Sequence, residues 1–189
     1  MNHIPLAQNG VLMILFLAAL VMNPLDPPAA PIVPATPPEP AALIEIKKLA
    51  GGVWKGTVGN NMPVEIRYTL FSDGTGVEAR GTVGDPKKPA MNIFARMGLD
   101  PATRTVYYID LHNNDTIYFG ECKVKDRNLE INFKGLSGDL NQYRNRLTFI
   151  NKDEMDSALY NVKPSGEETY VHTLNLKRTP STETFLAGV

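Results

Sequence analysis

The sequence predicts an all-β fold, an antiparallel up-and-down β-barrel of about ten strands entered through one short N-terminal helix. Three observations predict it. Apolar and polar residues alternate with period two from Val64 almost to the end of the chain; clusters of turn-forming residues interrupt the alternation at short intervals; and no helical period appears between them. Strands joined by short turns pair with their sequence neighbours, and closing such a meander removes the exposed edges that would recruit other chains.

The chain of 189 residues opens with an apolar run, Val11–Met22, followed at once by Asn23 and Pro24. A membrane span needs about 20 such residues, so the run reads as the core of an export signal over residues 1–23. Only the amino terminus and His3 precede it as possible positive charges, which keeps an uncleaved N-terminal anchor open. Residues 24–42 are rich in proline and alanine, a composition that favours extended polyproline conformation over a packed core and reads as a linker. The expectation is an exported protein, periplasmic or extracellular, with its folded domain at 43–180 and a short tail at 181–189. No membrane span is expected in the mature domain.

At the start of that domain Leu43, Ile46, Leu49 and Ala50 recur with helical spacing, and Gly51-Gly52 ends the run as a C-cap would. Strands are then expected at 53–58, 63–71, 77–83, 91–98, 105–111, 116–124, 129–134, 142–150, 155–162 and 168–178. Ser72-Asp73-Gly74, Asp85–Pro89, Asp100-Pro101-Ala102 and Asp126-Arg127-Asn128 supply the turns between several of them. The net charge of −1 carries no basic excess, which argues against a nucleic-acid surface. The one cysteine, Cys122, permits no internal disulfide and reads as a small buried thiol.

Gly52-Val53-Trp54, after a short lead-in helix, resembles the Gly-x-Trp signature of the lipocalin and calycin superfamily, and the only tryptophan of the chain sits there. The resemblance implies that a basic residue near the end of the last strand packs over Trp54 and closes one end of the barrel. Arg178 occupies that position and shares the inward parity of Leu174 and Leu176. The segments Leu49–Gly56 and Leu99–Arg104 resemble a group of small, exported bacterial barrels of uncharacterised function. At its ends the chain is also similar to nitrobindins, which bind haem through an inward histidine on the last strand. That resemblance implies His172 as an axial ligand; otherwise no cofactor and no metal is expected.

Strand parity places Trp54, Val64, Ile66, Tyr68, Leu70, Val77, Met97, Ile131, Phe133, Tyr143, Leu147 and Leu174 inward. An interior of this kind is either filled by its side chains or holds one small ligand. Gly56, Ala79, Gly81 and Ala95 would leave space, and Met91 and Met97 could adapt to an apolar guest. Tyr68, Met91, Met97, Tyr143, Tyr170 and His172 are the candidate contacts to a small apolar or amphipathic molecule. The residue pattern itself favours His172 as a core histidine hydrogen-bonded to Tyr68 or Tyr143.

Asp110, His112 and Asp115 (in DLHNND) read as a polar turn, although carboxylate and imidazole together can also bind a divalent metal. Arg144 and Arg146 alternate with Tyr143, Asn145 and Leu147, so both are expected outside the barrel. No nucleophile elbow, phosphate loop or zinc spacing is present, and nothing supports an enzyme. Three functional expectations follow: a binding module for a small molecule, a structural or interaction protein with a solid barrel and contacts at Phe94 and Tyr107, or a haem-binding barrel. The oligomeric state stays open.

Overall fold

The computed structural model describes residues 37–85, 87–112 and 115–180. The apolar run at Val11–Met22, most of the proline-rich linker and the tail at 181–189 lie outside the described residues. The chain enters the fold through helix α1 (Ala41–Lys47), which starts behind Pro40, whose carbonyl accepts from the Leu43 and Ile44 amides. Its last turn tightens, with the Leu49 amide donating to the Ile46 carbonyl at 3.1 Å. Gly51 and Gly52 then adopt φ of 85° and 78°, a left-handed conformation that turns the chain into the first strand.

Ten antiparallel strands follow: β1 (Val53–Val58), β2 (Met62–Leu70), β3 (Gly76–Asp85), β4 (Lys88–Asp100), β5 (Thr105–His112), β6 (Ile117–Lys125), β7 (Asn128–Ser137), β8 (Gln142–Asn151), β9 (Glu154–Val162) and β10 (Glu168–Thr179). Each pairs with its sequence neighbours, and β1 pairs with β10, so the sheet is a closed barrel. The all-β barrel with one short lead-in helix is the expected fold. Turn chemistry acts where it was read: the Asp73 carboxylate accepts from the Thr75 amide and Asp100 from the Ala102 amide, both at 2.9 Å. At Asp85–Pro89 the strands run further into the turn than expected, with Asp85 paired to Lys88 and Gly84 to Pro89. Proline is tolerated so close to a strand's first residue because few ladder bonds are lost there.

The registers define two ends. At one, the start of β1 meets the ends of β4, β8 and β10, and α1 packs against β3, β4, β6 and β7. Leu43, Ile46 and Leu49 are buried there with Trp54, Val77, Met97, Leu129, Met155 and Leu176, and most of the largest fully buried side chains are among these. The other end is formed by the last residues of β5 and β9 and the first of β6, β8 and β10. No helix covers it among the described residues. Two positions expected inside lie outside: Leu70 is the last residue of β2 and is 46% exposed, and Tyr170 is 58% exposed because a bulge in β10 changes the parity before His172.

Candidate functional site

The closed end is built around Trp54. Its indole is fully buried, its Nε1–H donates to the Leu49 carbonyl at 2.8 Å, and the Arg178 guanidinium lies 4.4 Å from its ring centre. Arg178 also donates to the Ala50 carbonyl at 3.0 Å and to the Lys48 carbonyl, so one cation ties the last turn of the helix segment to β10. Burial pulls its pKa below the usual arginine value, and Asp153 works against that. Gly52 is needed for this arrangement: a Cβ there would stand 2.5 Å from the Thr179 carbonyl and 3.0 Å from the Arg178 side chain. The expected barrel-closing pair, Trp54 and Arg178, is thus in contact.

Above this floor lies a cavity of about 310 Å³. Its deep part is apolar, lined by Ile66, Ala79, Ala95, Met97, Ile131, Leu147 and Leu176, with Met91, Ile93 and Leu174 around it. Space comes from Ala79 and Ala95. Gly56 and Gly81, expected to add to it, do not line the cavity; a Cβ on them would meet the Asn175 and Glu65 carbonyls at 2.4 and 2.2 Å, so they serve close strand approach. On one wall, buried Ser157 donates to the Asn145 side-chain carbonyl at 2.9 Å.

Toward the uncovered end the lining turns aromatic and polar. Tyr108, Tyr118, Phe133 and Tyr143 pack ring to ring with centroids 5.3 to 6.0 Å apart. Tyr143 and Tyr118 direct their hydroxyls to Asp139 in the β7–β8 loop, at 2.6 and 3.2 Å. Burial, and after it the Asp139 charge, pushes the Tyr118 phenol up to about 12. Next to this cluster Asp110 accepts from the Tyr108 hydroxyl at 2.7 Å, and His112 Nε2 lies 2.9 Å from the same oxygen, Oδ2. The other oxygen, Oδ1, is buried and has no hydrogen-bond partner. Neither a family model nor a curated protein matches the chain.

Of the expected ligand contacts, Tyr68, Met91, Met97, Tyr143 and His172 line this cavity. Tyr170 does not; it packs outside against Tyr160, at a ring distance of 5.9 Å. Burial lowers the His172 pKa and so favours its neutral form. Tyr143, read as a possible partner of His172, gives its hydroxyl to Asp139 instead. Arg144 and Arg146 lie outside as expected, where they pair with Glu130 and Glu168.

Sequence reasoning missed the row Tyr108, Asp110, His112 on β5. All three line the cavity, and Asp110 is 6% exposed. In the sequence Asp110 and His112 read as part of a polar turn because aspartate and histidine are turn formers. The signal was present nonetheless: they continue the parity of Val106, which is buried. Asp115 stays at the turn, with φ of 59°, and is not part of the row. Among the described residues no group of three or more metal-ligating side chains is close enough to hold an ion.

Proposed function

We propose that this chain is an exported, calycin-type barrel that holds one small, mostly apolar molecule with a polar end in its interior. The observation that carries the reading is the cavity itself. Its volume of about 310 Å³ lies at the small end of the roughly 300–1,000 Å³ typical of ligand pockets, and its apolar depth and few convergent polar groups match their usual make-up. The Gly-x-Trp segment and the Trp54–Arg178 contact support the calycin assignment. The apolar run at Val11–Met22 supports export.

The test is titration of the full chain with phenylnaphthylamine, an uncharged aromatic that fluoresces on entering an apolar site. A saturable rise at one molecule per chain is expected. Ala95→Phe, which fills the cavity from β4, should abolish it while the far-ultraviolet circular dichroism stays that of the wild type. A titration without saturation, together with a native mass spectrum of the bare chain, would overturn the reading and leave a solid barrel acting through its surface.

A second reading, haem held through His172, is favoured by the position of that imidazole in the cavity lining and by its neutral form, the one that ligates iron. The space favours a smaller guest. A cavity of about 310 Å³, lined toward its open end by the packed Tyr118, Phe133 and Tyr143 rings, is small for a whole porphyrin. Titrating haemin and following the Soret band separates the two readings, since a saturable change lost in His172→Ala would restore haem.

A further inference from the structure

The cavity lining holds one carboxylate, that of Asp110, together with two imidazoles, His112 at 2.9 Å from Asp110 Oδ2 and His172. No lysine or arginine lines it. The β8 arginines, Arg144 and Arg146, project from the outer face of the barrel and are engaged by Glu130 and Glu168. Tyr108 and His112 both address Asp110 Oδ2, which leaves Oδ1 buried and unpartnered, and a buried carboxylate oxygen without a donor is costly. The Asp110 side chain lines the cavity and is itself 9% exposed, so its carboxylate is held away from bulk solvent.

The surroundings of Asp110 sharpen the demand. The rings of Tyr68, Tyr108, Tyr118, Phe133 and Tyr143 share the cavity lining with it. Aromatic faces attract cations, and most strongly where water is excluded. Burial first and the Asp110 charge second push the Tyr68 and Tyr108 phenols upward, so both keep their protons at neutral pH. A second carboxylate, Asp139, stands behind the Tyr118 and Tyr143 hydroxyls. An incoming carboxylate would meet the Asp110 carboxylate and no lysine or arginine, whereas an ammonium would meet a carboxylate with one unpartnered oxygen and an aromatic lining.

We propose that the cavity selects a small aromatic or aliphatic amine, its ammonium donating to the Asp110 carboxylate and its apolar body lying against Met97, Ile131 and Leu147. This rests on the reading that the cavity takes a ligand at all. The test is displacement of phenylnaphthylamine from the full chain at neutral pH by phenethylamine, phenethyl alcohol and hydrocinnamate, matched in size and differing in charge. Phenethylamine should bind roughly 10-fold or more tightly than the alcohol, as a charge-assisted hydrogen bond requires, and hydrocinnamate most weakly. Asp110→Asn should erase the amine's advantage and leave the alcohol's affinity within about 3-fold of the wild-type value. Should that variant fail to fold, the order of the three probes on the wild-type chain decides alone. Equal affinities, a preference for hydrocinnamate, or failure of all three while phenylnaphthylamine still binds would overturn the amine and leave the cavity reading standing. Absence of phenylnaphthylamine binding would overturn both.

Discussion

Arg178→Met tests how much of the barrel's stability rests on its closed end. The substitution keeps an apolar stem over Trp54 and removes the guanidinium, with its donations to the Ala50 and Lys48 carbonyls and its contact 4.4 Å from the indole centre. Two charge-assisted hydrogen bonds at ~1.5–3 kcal/mol each and a cation–π contact at ~0.5–2 kcal/mol set a gross ceiling of about 3.5–8 kcal/mol. The net loss is smaller. The Arg178 side chain is 19% exposed, so water can reach the freed carbonyls at the rim, and folding the variant no longer carries the cost of desolvating a guanidinium. We expect a loss of about 2–4 kcal/mol, and about 1–2 kcal/mol for Arg178→Lys, which keeps the charge but not the planar fork. At about 4 °C per kcal/mol for a domain of this size, the Met variant should melt about 8–16 °C lower. The assay is urea unfolding followed by tryptophan fluorescence. Trp54 is the only tryptophan, so the probe sits where the change is made. The denaturant slope should not change, because the surface exposed on unfolding is the same. A variant within about 0.5 kcal/mol of the wild type would refute the assignment of Arg178 as the closing group.

Three further outcomes are expected. Glu130→Ala removes a buried carboxylate paired with Arg146 at 2.8 Å and should cost about 1–3 kcal/mol in the same urea assay, below the buried-pair range because Arg146 is partly exposed; no loss would mean that the outer ion network contributes nothing. Burial pushes the Cys122 thiol up to about 12, so Ellman's reagent should leave it unmodified in native protein and titrate one thiol in urea. Rapid labelling without denaturant would contradict its burial. The His172 pKa is lower in the folded barrel than in the unfolded chain, so its contribution to stability is full above the unfolded value near 6.5 and is lost as pH falls through the folded value. Melting temperature should drop more steeply for wild type than for His172→Gln between about pH 7 and pH 5, and parallel curves would show that the imidazole is not desolvated.

The strands were legible because their signals are local. Alternation in Val64, Ile66 and Tyr68 and turn residues such as Asp73 and Asp100 each act over a few positions, and the structure uses them as read. The Trp54–Arg178 contact was legible for a different reason: it needed the family resemblance to join residues at opposite ends of the domain. What stayed hidden depends on strand geometry that no window of sequence contains. One extra residue in β10 sends Tyr170 outside while His172 stays at the cavity, and alternation alone carried both inward. Asp110 was hidden by its chemistry. A carboxylate near a run of turn formers is ordinarily exposed, and only the neighbouring strands, which bring Tyr68 and Tyr118 to the same lining, make it part of an interior site.

Nine of the ten strand pairings join neighbours in sequence, and the tenth joins the two ends of the sheet, where the Thr179 hydroxyl reaches the Val53 carbonyl across 126 residues. The kinetic consequences of these two kinds of contact differ. Hairpins close short loops and can form independently, whereas β1 and β10 can meet only after the curvature of all ten strands is in place. This topology predicts folding by local steps ended by one long-range closure, and unfolding that begins where that closure reverses. The cavity has no complete wall until this seam is shut. A guest of the kind proposed would bind the closed ring and not the open sheet, so occupancy would act first on the rate at which the seam opens and lengthen the lifetime of the barrel.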